Sequence, residues 1–203
     1  YGVAPLSIAA INGDVRVMQL LLEAGAPAAT SMPEGETALM TAARLGNVEA
    51  LKLLIARGAD LNARESFRGQ TALMWAAARN NADAVRLLVE AGADIKVRTN
   101  NKPAPSGRRS ESGNTFSAAT ATGFTPLLFA VRAGSLDAVK ALLDAGADVN
   151  DMLSDGESAL VVATANAHWQ VARLLLDRGA DPNAAGAGWN ALHQTVHSRR
   201  PNL

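Results

Sequence analysis

The sequence predicts an all-α solenoid of stacked helix–turn–helix units, and three observations carry that prediction. One phrase, clearest at Gln70 to Asp94 as QTALMWAAARNNADAVRLLVEAGAD, starts again near residues 4, 37, 71, 125, 158 and 190. The separations are 33, 34, 54, 33 and 32 residues, so four lie close to 33 and the remaining one is 33 with 21 added. Within each copy the apolar residues fall at helical spacings of three and four, and one such helix pair needs a neighbour on each side to bury both faces.

The copy at Thr71 shows why each element forms. The Thr71 hydroxyl is placed to cap a helix, on which Leu73, Ala76 and Ala77 share one narrow face. Asn80 and Asn81 are turn formers. A second helix follows with Val85, Leu87, Leu88 and Ala91 as its apolar positions, and Gly92 stands where a left-handed C-terminal residue is wanted. The other first helices read APLSIAAINGD, TALMTAARLGN, TPLLFAVRAGS, SALVVATANAH and NALHQTVHS, and the second helices recur in step as MQLLLEAGAP, LKLLIARGAD, VKALLDAGAD and VARLLLDRGAD. Small residues at the Ala76 and Ala77 positions let neighbouring helices approach closely.

A period near 33, a Thr-Pro-Leu phrase and a closing Gly-Ala-Asp together resemble the ankyrin-repeat family. The resemblance covers nearly the whole chain and implies one ankyrin-repeat domain over residues 1–203, with about five repeats, a truncated sixth, and a similarity to bacterial-type arrays. It also implies hairpin fingers projecting between repeats and a concave face lined by first helices. Departures are visible. Where the family has His after the opening Leu, this chain has Ser7, Met40, Met74, Leu128 and Val161, with His193 alone matching; apolar contact is expected to replace the missing polar bonds. Pro5 and Pro126 keep the family's Pro, while Ala38, Ala72, Ala159 and Ala191 stand in for it as adequate helix formers. The apolar start of the first repeat and the short sixth repeat lead us to expect a stretch of a longer array, since terminal repeats normally carry a polar outer face.

Composition narrows the function. The chain is 48% hydrophobic but only 4% aromatic, so Ala and Leu do the packing. Lys plus Arg and Asp plus Glu balance at 19 each, which argues against a nucleic-acid or membrane-surface partner. There is no Cys, hence no disulfide, thiolate metal site or thiol nucleophile. No apolar run approaches the roughly 20 residues of a membrane span; a soluble domain, cytoplasmic or exported, and monomeric, is expected.

Catalytic patterns are poor. His193 and His197 are four apart, but Gln194 follows the first, so the zinc-protease phrase with its Glu base is absent. His193 and His168 both occupy places the family resemblance accounts for. Asp60, Asp94, Asp148 and Asp181 repeat with the scaffold and read as turn residues. No cofactor and no metal are expected, and the chain reads as a non-enzymatic scaffold that binds an unidentified protein or peptide. Two alternatives stand beside this: a targeting or regulatory array of a larger enzyme, and binding of an anionic ligand through basic residues.

The residues expected to meet a partner fall in three groups. Arg44, Arg79 and Arg132 follow the paired small residues of their helices and vary from repeat to repeat, while Trp75 and Phe129 occupy equivalent places one repeat apart. Phe67, Arg68 and Trp189 are at finger tips, where an exposed apolar side chain can anchor a partner. The third group lies in a flexible insertion over about residues 100–122 (NNKPAPSGRRSESGNTFSAATAT), where periodicity gives way to Pro, Ser, Gly and Thr. Its Lys102, Arg108 and Arg109, with Arg64, Arg68 and Arg98 nearby, outweigh Glu111 and would form a basic lip. The assigned core face makes a direct prediction: Leu54→Ala or Leu88→Ala should cost roughly 2 to 5 kcal/mol by opening a cavity, and an unchanged melting curve would refute that face.

Overall fold

The computed structural model describes residues 4–100, 123–184 and 191–192, and within them the chain forms five helix pairs. α1 (Pro5–Asn12) pairs with α2 (Val15–Glu23), α3 (Ala38–Leu45) with α4 (Val48–Ala56), and α5 (Ala72–Ala78) with α6 (Ala82–Glu90). α7 (Pro126–Ala133) pairs with α8 (Leu136–Asp144), and α9 (Ala159–Ala165) with α10 (Trp169–Asp177). First helices pack on one another in chain order, second helices form a parallel row, and α5 packs on α7 as extensively as α3 packs on α5. This is the all-α repeat solenoid the periodicity predicts. Of the sixth unit only Ala191 and Leu192 are described, both helical.

Capping explains where the first helices start. Thr37, Thr71, Thr125 and Ser158 are extended, and each hydroxyl accepts the N–H three residues on, from Met40, Met74, Leu128 and Val161 at 3.2, 3.4, 3.3 and 3.3 Å. Those four partners are the residues standing where the resemblance leads one to expect His. Met40, Met74 and Leu128 are 0% exposed and Val161 1%, so apolar packing does replace polar bonding there. Ser7 is also buried, and its hydroxyl has no partner among the described residues.

The core is a strip between units. Ala42, Ala43, Ala76 and Ala77 are at most 1% exposed, as are Ala130 and Val131, and Leu54 and Leu88 are at 0%. Side chains of this size let helix axes come together at the close end of the usual range.

Units are also tied by side chains at the turns. Asn47 Nδ2 donates to the Gly13 carbonyl at 3.4 Å, Asn81 Nδ2 to those of Ala43 and Arg44 at 2.9 and 3.0 Å, and His168 Nε2 lies 3.0 Å from the Arg132 oxygen. Gly134 must be glycine on two counts: its φ is +71°, and a Cβ there would lie 2.7 Å from the His168 ring. At the equivalent place in the fourth unit stands Ser135, too short to reach back. Asn80 instead reaches forward, its Oδ1 accepting the N–H groups of Asp137 and Ala138 at 3.1 Å and so capping α8 from the preceding unit.

The fingers contain no named strand among the described residues, only isolated antiparallel bridges at Ser31 with Thr37 and Met152 with Ser158. Asp60, Asp94, Asp148 and Asp181 accept from the N–H two residues on, at 2.8 to 2.9 Å, and Asn62 and Asn150 each accept the N–H of the next unit's aspartate. The carboxylates are turn residues, as their spacing implies. Finger closure is uniform as well. Met32, Glu65 and Leu153 donate their N–H to the oxygens of Glu36, Gln70 and Glu157. Thr99 does the same to Phe124 at 3.0 Å, across 25 residues rather than four or five, and Phe124 donates back to Thr99 Oγ1 at 2.9 Å.

Where Gly13, Gly46 and Gly134 end their helices, the fifth unit has Ala167 in the same left-handed conformation at φ 58°. A Cβ is strained there by about 1–2 kcal/mol. Ala167→Gly should therefore raise unfolding stability by about 1 kcal/mol once the extra freedom of the unfolded chain is subtracted, read as a higher denaturant midpoint at unchanged slope.

Candidate partner-binding surface

The first helices stack so that equivalent positions form columns. One column is Ile8, Thr41, Trp75, Phe129 and Val162; the next is Ile11, Arg44, Ala78, Arg132 and Ala165; a third is Asn12, Leu45, Arg79, Ala133 and Asn166. In the units of α3, α5 and α7 the residue just ahead of the first-helix cap contacts the first column of its own unit. Thr41 Oγ1 donates to Glu36 Oε1 at 2.8 Å, Trp75 Nε1 donates to Gln70 Oε1 at 2.8 Å, and the Phe124 and Phe129 rings meet at 5.1 Å with a 41° tilt. These are the positions of the helix-entry staple, here made in turn by a hydroxyl–carboxylate, an indole–amide and an aromatic pair. The fifth unit breaks the series. Its pair is Glu157 with Val162, and a carboxylate gains nothing from valine.

The second column reaches back over these pairs. The Arg44 guanidinium lies 3.6 Å from Glu36 and 5.4 Å from the Trp75 ring centre, so it is both ion-paired and stacked. Arg132 lies 5.2 Å from the Phe124 ring centre, because the unit that carries it has Phe124 where Arg44's unit has Glu36. Among the described residues no carboxylate comes within ion-pair distance of Arg132 or of Arg68. Burial holds the Arg132 guanidinium below the usual arginine range, and the positive charge of Arg68 lowers it further. Burial pushes the Glu157 carboxyl up, with the charge of Asp155 adding to it.

The expected contact residues therefore divide. Arg44, Trp75, Phe129 and Arg132 come together, half-buried, on the first-helix face; Arg79 is exposed beside them at the end of α5. Trp75 and Phe129 are each held by their own staple partner while their outer parts stay open, so packing and exposure coexist in both. Phe67 is 52% exposed at the second finger tip. That finger is one residue longer, and the buried Glu65 carboxylate absorbs the difference by accepting the N–H groups of Phe67, Arg68 and Gln70. Leu153, by contrast, folds back into the core. Lys102, Arg108, Arg109 and Trp189 lie outside the described residues, as do His193 and His197.

Two cations expected near the basic lip are engaged with neighbouring fingers. Arg64 donates to the Gly69 and Arg98 carbonyls, and Arg98 donates to the Gly123 and Met152 carbonyls and pairs with Asp151, which also accepts from Thr125. Both cations bolt one finger to the next. Arg64, Arg68 and Arg98 are all exposed, and of the three only Arg98 pairs with a carboxylate among the described residues. Residues missed by sequence reasoning are Glu36, Gln70, Phe124 and Glu157; their shared signal is their place immediately before a capping Thr or Ser.

A cleft of about 420 Å³ lies on the opposite, turn side, lined by Gly46, Asn80, Asp83, Arg86 and Asp137 among others. Its polar groups are engaged with one another: Arg86 with Asp83, and Asn80 with α8. Among the described residues no cluster of three or more His, Asp or Glu could hold a metal, and no helix is long and apolar enough to cross a membrane.

Family models described as ankyrin repeats match residues 2–99 and 110–186 in one case and 73–143 in another. Over 177 residues the chain is 28% identical to an L-asparaginase of Dirofilaria immitis, an alignment covering 87% of this chain and 26% of that protein. It is 45% identical over 56 residues to the human transient receptor potential cation channel subfamily A member 1, covering 27% of this chain and 5% of that one. A human mitochondrial disaggregase is 41% identical over 70 residues, 34% of this chain and 10% of that protein. The chain thus spans about a quarter or less of the length of these relatives.

The mismatched staple yields a pH prediction. A carboxyl whose folded-state pKa is raised binds its proton more tightly folded than unfolded, so its penalty is absent in acid and appears as pH rises through the folded value. Glu157→Gln should raise the melting temperature at neutral pH, and the gain should vanish below the ordinary carboxylate range; a pH-independent difference would contradict the assignment.

Proposed function

The chain belongs to the ankyrin-repeat family, whose repeats generally serve as protein–protein interaction modules, and on that premise we propose that it is a non-enzymatic scaffold. In this reading residues 1–203 act as one array that holds a peptide or protein along its first-helix face and finger tips. The observation that carries it is the contrast between a constant frame and variable outward columns. Core Ala and Leu of the helices stay at 6% exposure or less in unit after unit, while the columns beside them change from Ile11 to Arg44 to Ala78 to Arg132. A rigid stack keeps the ordering cost of association low, and stacked side chains such as Arg44 on Trp75 are preorganised for contact. Arg44, Trp75, Arg79, Phe129 and Arg132 form the central surface, with Phe67 and Arg68 at its edge.

A second reading is favoured by the likeness to a stretch of an L-asparaginase and of a disaggregase, in which the matched part is a minor share of the whole. In that reading the array recruits or regulates on behalf of catalytic sequence elsewhere in a larger protein. Both readings assign the same task to these residues. Affinity capture from native lysate tests it, comparing the chain with a version lacking Lys102 to Thr122 and with a Trp75→Ala/Arg132→Ala variant. We expect the same partner on the intact and shortened chains and its loss from the double variant. Retention by the double variant together with loss on shortening would transfer recognition to the insertion.

A further inference from the structure

Resting on the binding reading above, the sharpest feature of the surface is where its charges fail to match. In the second unit Glu36 and Arg44 neutralise each other at 3.6 Å. In the fourth unit the acidic member is replaced by Phe124, so Arg132 keeps its place over a ring and has no acid among the described residues. In the fifth unit the acidic member, Glu157, is present, but the position of the arginine is Ala165, so Glu157 has no base among the described residues. Both groups are half-buried, which makes an unmatched charge cost more than it would in open water. The Arg132 head lies back over Phe124, at the level just ahead of the α7 cap. Glu157 occupies the same level one unit along. Neighbouring helices are about 8–10 Å apart, a span covered by about three residues of extended chain.

We propose that the surface between the fourth and fifth units holds an extended peptide segment that sets a carboxylate on Arg132 and a cationic side chain on Glu157. The two poles are opposite in sign, so the site favours one direction of the peptide over its reverse. Phe129, half-buried against Phe124 in the same unit as Arg132, offers an apolar contact to the intervening residues. The recognised pattern is an acid followed or preceded, about three residues away, by a lysine or arginine, in one fixed orientation. It is not a net charge, which fits a chain whose own charges balance at 19 and 19.

The test is selection of phage-displayed linear random peptides on the intact chain, followed by fluorescence anisotropy of the enriched peptides against Arg132→Gln, Glu157→Gln and the exchange Arg132→Glu/Glu157→Arg. Enriched sequences should share an acid and a base at that spacing, and each single variant should weaken binding about tenfold, as expected for loss of one charge-assisted bond. The exchange should prefer the same peptides with acid and base transposed. Glu157→Gln removes the charge while keeping the side chain's size, and its melting curve is read beside the binding, so the test does not depend on the exchange variant folding. Enriched peptides that lack the pair, or that bind all variants equally, would overturn this inference while leaving protein binding intact. Failure of the intact chain to enrich any sequence would overturn it too, and the capture experiment would then decide the broader reading by itself.

Discussion

The close approach of small residues between consecutive first helices is the constraint on which the rest of this molecule depends. Ala42 with Ala43 and Ala76 with Ala77 are sealed between neighbours, and no single helix pair could bury them. Stability is therefore a property of interfaces, and each unit is folded only because another lies against it. Turn amides, finger ladders and the bolts made by Arg64 and Arg98 all sit on that stack. The limit is on bulk: Val131 and Thr164 are accommodated at the alanine positions, but a long or aromatic side chain there would push neighbouring helices apart and strain the cross-unit hydrogen bonds beside it.

That dependence accounts for what the sequence disclosed. Core alanines and leucines repeat because one geometry is imposed at every interface, and a spacing near 33 makes the imposition readable. Thr71 as a cap, Asn80 as a turn residue and Asp94 as a loop carboxylate are local roles, and local chemistry reveals them. What stayed hidden involves two units or two non-adjacent positions. Arg98 looks like a free cation until Asp151, 53 residues on, is seen beside it. Phe124 looks like the tail of an irregular insertion, yet it is the aromatic partner of Phe129. Once Thr71 is recognised as a cap, the staple rule would have joined Gln70 to Trp75; whether that pair is polar, aromatic or mismatched then follows from the residues themselves.

The insertion illustrates how a repeat frame accepts extra chain. Its departure and return points, Thr99 and Phe124, are bonded to each other in the pattern that closes the ordinary fingers. The Asn100 N–H is given to the Arg68 oxygen of the preceding finger. The stack sees a finger of normal width, and α7 meets α5 without adjustment. Because loop closure grows only logarithmically with length, extra chain at this point adds little closure entropy to the frame.

The staple pairs carry an implication for how such a surface changes over generations. In the second, third and fourth units the first-column residue contacts a partner five positions earlier, so the unit of innovation there is a couple, not a single site. Replacing Trp75 alone strands Gln70, and replacing Phe124 alone strands Phe129. A lineage exploring new binding specificities must therefore pass through unmatched couples, and Glu157 with Val162 has the form of such an intermediate. Within this array the capacity to acquire a new specificity is then unevenly distributed, concentrated in the unit whose couple is already broken.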